Sequence, residues 1–351
     1  MSRPILLLAA LLALLLGADR FLARRERARR ERDPAIERLV APERSQGATI
    51  AAITVGGGAG ELVYARKKGV WRSREAHGAV CSDDAMREFL AAFFEARGVA
   101  RAEGSRDATA YGFDSPDSLT VAFHGPKFVE APDRDVLFAF EVGRTFAEGP
   151  RGRAFVREKG AQRILEIDRD PRRLLQTPLA SLLPPLVDTR LLAGCLGDGF
   201  RGFSEFKIET AGGESVRVAV DEAARAGGAD ESTTWFLDRG RGREAFPGWR
   251  VGGYIGLWLR GRCDETESPS RAAEHGLDPP AAIVHLAPEG SEPIEIWISA
   301  ADDRHRVRVW NRNTNVVMVV PEVWQTLLAP SPEMFLDASR PNPWEEWLRK
   351  P

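Results

Sequence analysis

The sequence predicts an α+β fold in which two tandem copies of one antiparallel-sheet module, each with one main helix, follow an N-terminal membrane helix. The first observation is an internal repeat. Trp71 and Trp235 lie in similar segments, Asp114 and Asp278 lie in similar turns, and both pairs have the same offset of 164 residues (235 − 71 and 278 − 114). A shared offset at two distant points indicates a duplicated module. The second observation is a series of short apolar segments bounded by turn residues, and the third is an amphipathic helix.

The amphipathic helix of the first copy is predicted between Asp83 and Arg97. Its apolar side chains recur at the spacing of one helix face: Met86, Phe89, Leu90, Phe93 and Phe94. Ser82, Asp83 and Asp84 supply N-capping groups, and Gly98 is a typical stop signal. The sequence therefore predicts a helix that packs one face on a core.

The second copy should contain the equivalent helix inside Phe246 to Gly261. The offset of 164 residues carries Leu90, Phe93 and Phe94 onto Tyr254, Leu257 and Trp258. Four glycines in this segment lower its helix propensity. The apolar face nevertheless returns, which favours a helix in the same place.

The strands are predicted from short apolar segments separated by glycine-rich or charged turns. In the first copy they are Ile50 to Val55, Glu61 to Arg66, Val70 to Arg74, Ser118 to Phe123, Val136 to Val142, Ala154 to Arg157 and Gln162 to Ile167. Their counterparts are Phe206 to Thr210, Ser215 to Asp221, Thr233 to Leu237, Ala282 to Leu286, Glu292 to Ile298, Arg306 to Trp310 and Asn315 to Val319. Because strands outnumber helices and loops are short, antiparallel sheets are expected.

The offset between the copies changes near their ends. Pro171 and Pro321 are each expected to open a short helix with proline at its first position, and here the offset is 150 residues (321 − 171). The first copy should therefore hold about 14 extra residues, most simply in the loop His124 to Val136.

The domain boundaries follow from the repeat and from composition. A chain of 351 residues that is 43% hydrophobic can bury two cores, and glycines cluster between Ala193 and Phe203. The predicted organisation is a membrane segment at 1–23, a basic stalk at 24–47, a first repeat at 48–193, a glycine-rich linker at 194–203, a second repeat at 204–337 and a tail at 338–351.

The N-terminal segment Ile5 to Ala23 is predicted to bind the membrane. Ile5 to Leu16 is an unbroken run of Ile, Leu and Ala, and a helix from Ile5 to Ala23 is about 28 Å long, enough to cross a bilayer core. A retained anchor is preferred because Leu16, Gly17 and Ala18 form a poor cleavage site. A cleaved signal peptide and a buried helix are the alternatives.

The orientation of this segment is ambiguous. Arg3 precedes the apolar run, whereas seven arginines follow it between Arg20 and Arg32, and the positive-inside rule would then keep the body in the cytoplasm. The alternative is that Arg24 to Arg38 form a helical stalk whose basic face rests on anionic headgroups. We expect a single-pass protein of the bacterial inner membrane with an extracytoplasmic body.

Charge and cysteine usage exclude several classes of function. The formal net charge is −2, and 43 arginines against 6 lysines are typical of genome composition more than of phosphate binding, so no nucleic acid partner is expected. Cys81, Cys195 and Cys263 are widely spaced, which favours neither a disulfide framework nor a zinc site.

No motif in the sequence indicates catalysis, a cofactor or a metal. Gly197 to Gly202 has the letters of a dinucleotide fingerprint, but a predicted strand follows it where a helix is needed, so a linker is favoured. Gly56 to Gly60 lacks the lysine of a P-loop and fits a hairpin turn. Asp168 and Asp170 precede Pro171, where a capping acid is expected. The histidines show no ligand or triad spacing: His77, His124, His275, His285 and His305.

Tryptophans are concentrated in the second half of the chain. Eight of nine follow residue 234: Trp235, Trp249, Trp258, Trp297, Trp310, Trp324, Trp344 and Trp347. Such rings could stack on sugars or anchor a partner. Core packing is the preferred interpretation, because Trp235 and Trp258 coincide with Trp71 and Phe94 in the repeat.

The repeated motifs resemble a known bacterial family. Gly69-Val70-Trp71, a capped helix, and Tyr111 to Pro116 or His275 to Pro280 leading into a strand are similar to the domain of unknown function 4340 (DUF4340), and Leu186 to Leu192 resembles its join between tandem copies. The resemblance would cover about Ala48 to Asp337. It implies an N-terminal membrane segment and gene neighbourhoods of the ABC-transporter and gliding-motility type, with no catalytic residues to carry over.

The sequence therefore favours a membrane-anchored, non-enzymatic accessory or scaffolding protein. Its expected partners are the membrane, through Ile5 to Ala23, and proteins of a transporter-type envelope complex. The alternative is a hydrolase or a glycan-binding or glycan-processing protein with a site between the two modules. These classes differ in whether polar groups converge in a pocket.

Overall fold

The structure is a computed structural model that describes residues 36–348 apart from 58–59, 103–107, 130–134, 147–150, 176–181, 229–234, 241, 247, 338 and 340. The chain forms two compact units. Of the described residues, one unit contains those up to Ile50, Val55–Glu61 and Glu88–Arg173, and the other contains Ala51–Thr54, Leu62–Arg87 and those from Leu174 onward. The predicted segment Ile5 to Ala23, and the stalk as far as residue 35, lie outside the described residues.

Most of the described secondary structure is antiparallel sheet, in two sheets, with a few helices, as an α+β fold requires. The strands of the first sheet are β1 Ile36–Arg38, β2 Ala52–Gly57, β3 Gly60–Lys67, β4 Val70–Ser73, β5 Ala79–Val80, β6 Arg97–Ala102, β7 Leu119–His124, β8 Val136–Phe146, β9 Arg153–Glu158 and β10 Ile164–Ile167. Those of the second sheet are β11 Gly202–Thr210, β12 Ser215–Val220, β13 Trp235–Asp238, β14 Arg243–Ala245, β15 Glu265–Glu267, β16 Ala282–Glu289, β17 Ile294–Ile298, β18 Arg306–Asn311 and β19 Val316–Pro321.

Two long helices and several short ones accompany these sheets. The α-helices are α1 Pro42–Ser45, α2 Asp83–Phe94, α3 Ala108–Tyr111, α4 Glu222–Ala226, α5 Trp249–Arg260, α6 Val323–Leu328, α7 Pro332–Leu336 and α8 Pro343–Leu348. Short 3-10 helices cover Pro126–Val129, Pro171–Leu175 and Pro269–Arg271. Among the described residues, none of these helices has the length and apolar character needed to cross a bilayer.

The two sheets have the same strand order. The first runs β5-β4-β3-β2-β7-β8-β9-β10-β6-β1 and the second runs β14-β13-β12-β11-β16-β17-β18-β19-β15. In both, the main helix lies in the chain between the fourth strand and the strand that returns to the far edge. The agreement extends to β1, because Arg38 pairs with Arg97 in the first sheet and an isolated bridge joins Arg190 to Arg262 beside the second.

Helix α2 ends earlier than the sequence predicts. Ser82 caps its first turn, with Oγ accepting from the Ala85 N–H at 3.4 Å. The stop signal assigned to Gly98 was wrong, because Gly98 lies in β6 and pairs with Ile167. A Cβ at Gly98 would lie 2.6 Å from the carbonyl oxygen of Glu166, so glycine permits a close approach of two strands.

Helix α5 confirms the second predicted helix. It covers Trp249–Arg260, ends at Gly261, and buries Tyr254, Leu257 and Trp258 as the repeat requires. Its four internal or flanking glycines do not prevent the helix, because packing of the apolar face outweighs propensity.

The extra residues of the first copy are distributed over more than one hairpin. On β7 and its counterpart β16, the buried residues Val121 and Val284 are offset by 163. On β8 and β17, Phe140 and Ile296 are offset by 156, and on β9 and β18, Val156 and Val309 are offset by 153. Thus 7 of the residues enter between β7 and β8, and 3 more between β8 and β9. The predicted loop at His124 to Val136 holds only part of the insertion.

Two further sequence expectations were wrong. Pro171 does open a 3-10 helix, but Pro321 is the last residue of β19, and α6 begins at Val323. Pro321 pairs with Arg306 in the ladder and lies at a strand end, where proline is tolerated. The helical stalk was expected to reach Arg38, but Ile36–Arg38 is a strand that pairs with β6.

Each unit has its own apolar core. In the first, Phe93, Phe123 and Phe140 lie with ring centroids between 5.2 and 6.0 Å apart. In the second, α5 packs on the inner face of the second sheet, where Phe206 contacts Tyr254 at 5.1 Å. Trp344 of α8 is fully buried against Tyr254 and Phe335, so the predicted tail contributes to this core.

Candidate functional site

Polar groups are concentrated in an open groove of the second unit, called here the charged groove. Its volume is about 670 Å³, within the range of ligand sites. Its ionisable residues are Glu265, Glu267, Arg271, Glu274, His275, Asp302, Asp303, Arg304, Arg306 and Arg308, and small residues complete it at Gly276, Ala300 and Ala301.

Strand alternation places the charges on one face of the sheet. Glu265 and Glu267 are two residues apart on β15, and Arg306 and Arg308 are two residues apart on β18. Both strands flank β19, where Val319 pairs with Glu265 on one side and with Arg308 on the other. Side chains two apart in a strand share a face, so the four charged groups meet above β19.

Arg308 is the centre of the charged groove, because its buried guanidinium binds two carboxylates. Nε donates to Oε2 of Glu267 at 3.1 Å and Nη2 to Oε1 at 3.3 Å, while Nη1 donates to Oδ2 of Asp302 at 2.6 Å. The side chain of Arg308 is 7% exposed and that of Glu267 is 14% exposed. Burial opposes the charge of Arg308, yet these hydrogen bonds leave its pKa above the usual value.

Asp302 is held in its ionised form by several donors. Burial of its carboxylate acts in the opposite direction, but the backbone N–H groups of Arg306 and Arg304 donate to Oδ1 at 2.8 and 2.9 Å, and Arg308 donates to Oδ2. The balance holds the pKa of Asp302 well below its usual range. A carboxylate stabilised in this way is a weak base, so it is suited to positioning Arg308.

His275 lies at the wall of the groove with an unsatisfied ring nitrogen. Its Nε2 is 3.1 Å from Oε2 of Glu267, close enough for an ion pair if the ring is protonated, but the angle does not meet hydrogen-bond geometry. The side chain is 8% exposed. A buried polar atom without a hydrogen bond costs free energy, so this wall is not optimised for stability alone.

The first repeat fills the equivalent place with aromatic rings. Register equates Arg308 with Phe155, because their partners Val319 and Glu166 occupy the same position on equivalent strands, and the turn motif equates His275 with Tyr111. Tyr111 and Phe155 contact each other edge to face at 4.9 Å, and Phe146 packs on Phe155 at 5.2 Å. Glu166, which pairs with Phe155, accepts hydrogen bonds from Arg101 and Arg153 at 2.7 and 2.9 Å, so the first repeat also has charges beside this place, but aromatic rings stand where the second repeat has His275 and Arg308.

The histidines considered from the sequence are not brought together. His275 alone among them lines the charged groove; His305 contacts Glu322 at 2.6 Å on the exposed surface, and His285 lies 3.9 Å from both Glu209 and Glu295. Within the described ranges, no three His, Cys, Asp or Glu side chains are arranged to hold a metal ion.

Two cysteines and two of the motifs considered from the sequence lie in surroundings that indicate a role in the fold and not in chemistry. Burial raises the pKa of the Cys81 and Cys263 thiols to about 12, which disfavours the reactive thiolate. Asp170 accepts from the Arg172 N–H at 3.0 Å, as a capping acid does. Gly202 begins β11, so a strand follows the glycine-rich linker, as predicted.

Half of the eight tryptophans after residue 234 are buried, whereas Trp249 is exposed. Trp258 and Trp344 are fully buried, and Trp297 and Trp310 contact each other edge to face at 5.6 Å. The guanidinium of Arg312 lies over both rings, 4.5 Å from Trp297 and 3.9 Å from Trp310. This arrangement favours packing over the sugar-stacking interpretation.

Sequence reasoning missed most of the groove, and a signal for it was present. The patterns Glu-Thr-Glu at Glu265–Glu267 and Arg-Val-Arg at Arg306–Arg308 place like charges on one strand face. Aligning Phe155 with Arg308 would have shown that an apolar position in one copy is charged in the other.

Comparison with protein-family models, curated proteins and solved structures finds no match to this chain.

Proposed function

We propose that the chain is a membrane-anchored accessory protein built from two copies of one module, and that the charged groove of the second module is where a partner binds. The observation that carries this proposal is the replacement of the aromatic pair Tyr111–Phe155 by the pair His275–Arg308 at the same place in the second repeat. Buried ionic networks seldom improve stability over apolar packing, so a functional reason for this one is favoured.

The chemistry of the groove supports recognition better than catalysis. Asp302 has a lowered pKa, so it is not tuned toward the near-neutral pKa of a general base, and Arg308 occupies both oxygens of Glu267. The groups are rigidly positioned by one another, which reduces the cost of ordering them when a partner binds.

The membrane and transporter parts of the proposal rest on sequence. The apolar segment Ile5 to Ala23 supports a single-pass anchor in a bacterial inner membrane, with an extracytoplasmic body. The resemblance to DUF4340 stays a prediction, and it supports partners in a transporter-type envelope complex. The shared strand order of the two sheets supports the tandem-copy interpretation.

A second candidate is a hydrolase or glycan-processing enzyme, and the contact between His275 and Glu267 favours it. A histidine 3.1 Å from a carboxylate is a recurring part of acid–base sites. Arg308 already donates hydrogen bonds to both oxygens of Glu267, so that carboxylate is committed to a structural contact and we place recognition first.

The test is purification of the full-length chain from native membranes after mild crosslinking, with mass spectrometry of what is recovered. Ala300→Trp fills the groove without changing any of its charges, and Ala211→Trp on the exposed β11–β12 turn is the matched control. We expect transporter-type subunits with the unchanged chain and with Ala211→Trp, and their loss with Ala300→Trp. Recovery of the chain alone in all three contradicts the proposal and favours the enzyme.

A further inference from the structure

The groups of the charged groove differ in how completely they are neutralised. At its base, Arg308, Glu267 and Asp302 satisfy one another. Glu265 receives one long hydrogen bond, from Arg306 at 3.4 Å, and its side chain is 35% exposed. In the described part of the chain, no ion pair involves Asp303 or Arg304, and both are exposed. The capacity to bind a ligand is therefore at Glu265, Asp303 and Arg304.

The balance of charge in the groove favours a cation. Five carboxylates, those of Glu265, Glu267, Glu274, Asp302 and Asp303, face four guanidinium groups, those of Arg271, Arg304, Arg306 and Arg308. The groove therefore carries one excess negative charge when His275 is neutral. Arg308 is committed to Glu267 and Asp302, and Arg306 is shared between Asp302 and Glu265. The accessible negative charge is therefore at Asp303 and at Glu265, whose one contact with Arg306 is 3.4 Å long.

The shape of the groove favours a side chain that enters from solvent. Gly276, Ala300 and Ala301 leave room beside the charged groups, and the groove is open to solvent. The unsatisfied Nε2 of His275 lies at the same wall. At the equivalent place in the first repeat, the rings of Tyr111 and Phe155 pack together.

We infer that the charged groove binds a basic side chain, an arginine or a lysine, presented by a partner protein. This inference rests on the proposed function and adds the chemistry of the partner. Glu265 and Asp303 provide the carboxylates that pair with the incoming cation, and the network of Arg308, Glu267 and Asp302 holds the groove in shape. Arg304 at the rim disfavours a partner with a second positive charge next to the first.

The experiment measures binding of two capped tripeptides to the full-length chain in detergent by isothermal titration calorimetry at low salt. The probes are acetyl-Gly-Arg-Gly-amide and acetyl-Gly-Glu-Gly-amide. We expect the arginine peptide alone to bind, with an affinity that falls as salt is added. The variant Glu265→Gln/Asp303→Asn should bind it at least tenfold more weakly, since two charge-assisted hydrogen bonds are lost. Glu214→Gln, an exposed carboxylate of the β11–β12 turn, should leave the affinity unchanged.

Three outcomes overturn the inference. They are tighter binding of the glutamate peptide, binding of neither peptide, and unchanged binding of the arginine peptide to Glu265→Gln/Asp303→Asn. Each differs from failure of the proposed function, which is read from partner recovery with Ala300→Trp. If Ala300→Trp loses its partner while Glu265→Gln/Asp303→Asn retains it, the groove binds a partner of another chemistry.

Discussion

Asp302 and Arg308 illustrate how a few side chains at one place can change what a fold does. Asp302 binds two backbone N–H groups of its own turn as well as the guanidinium of Arg308, so it joins the turn to the strand β18. Glu267 then joins Arg308 to the edge strand β15. Three residues thus tie three segments together, in a position where the first repeat uses aromatic packing.

The lowered pKa of Asp302 predicts how stability depends on pH. A carboxylate whose pKa is lower in the folded state stabilises the fold above its unfolded value of about 4, and this contribution is lost as pH falls through the folded pKa. Urea denaturation should therefore show the unchanged chain more stable than Asp302→Asn at pH 7, with the difference shrinking below about pH 4. A difference that stays constant down to pH 2.5 would contradict this role.

Replacing Arg308 alone should destabilise the fold, whereas replacing it together with Glu267 and His275 should not. Arg308→Gln leaves the Glu267 carboxylate without its bidentate partner, so the free energy of unfolding should fall by about 3–5 kcal/mol. The triple variant Glu267→Gln/His275→Tyr/Arg308→Phe introduces the residues of the first repeat at two positions and should stay within about 1 kcal/mol of the unchanged chain.

Denaturant unfolding followed by tryptophan fluorescence measures both variants. Equal destabilisation of the single and triple variants would show that the charged network is required for the fold, contrary to the comparison with Tyr111 and Phe155. If the triple variant is stable and also loses its partner, the network serves binding.

At the scale of elements, strands β6 and β15 occupy equivalent places in the two sheets, but β6 also pairs with β1, whereas β15 is an edge strand. Strand β6 covers six residues and holds Gly98 where the carbonyl of Glu166 approaches closely. Strand β15 has three residues, two of them the glutamates of the charged groove. A short edge strand with charged side chains resists pairing with other chains, and here the partly buried Glu265 and Glu267 line the charged groove.

Alanine substitutions at Gly98 in β6 and at Gly252 in α5 should change the stability of the fold in opposite directions. Gly98→Ala places a Cβ 2.6 Å from the Glu166 carbonyl oxygen and should destabilise the fold by about 1–3 kcal/mol. Gly252→Ala adds a methyl group on the exposed face of α5, where no atom lies within 4 Å, and should stabilise it by about 0.5–1 kcal/mol. Thermal unfolding of both variants tests this, and a loss of stability in Gly252→Ala would contradict the assignment of that face.

At the scale of the whole molecule, repetition of one strand order accounts for most of the buried pattern. The nine strands of the second sheet have counterparts in the same order in the first, and both sheets are antiparallel wherever the pairing is described. Most apolar residues are therefore explained by packing within a module. The positions that differ between copies are the ones that call for a functional explanation.

The proposed anchor makes a prediction for the intact protein. Replacing Leu12 and Leu15 by arginine puts two charges in the centre of the apolar run, at about 2.5–3.5 kcal/mol each, and should release the chain from the membrane fraction. Alkaline carbonate extraction followed by sedimentation measures this. The matched variant with both leucines changed to isoleucine should remain in the membrane. Release of the unchanged chain by carbonate contradicts the anchor.

The sequence by itself determined the fold class, the main helices and the repeat, because these depend on periodic apolar residues that are local in the chain. It predicted α5 from the offset of 164 residues and the buried face at Tyr254 and Trp258. Local patterns did not locate β6, because Gly98 reads as a helix stop until Glu166 is known to lie against it. They did not show that Pro321 ends a strand.

Only the tertiary structure decided where the charged groove lies. Glu267, Asp302 and Arg308 are up to 41 residues apart in the chain, and they meet because β15 and β18 flank the same strand, β19. Strand pairing over such distances depends on the whole sheet, whereas each charged residue taken alone resembles any solvated one. The sequence holds the information for the groove, but it becomes readable only after the sheet order places the strands side by side.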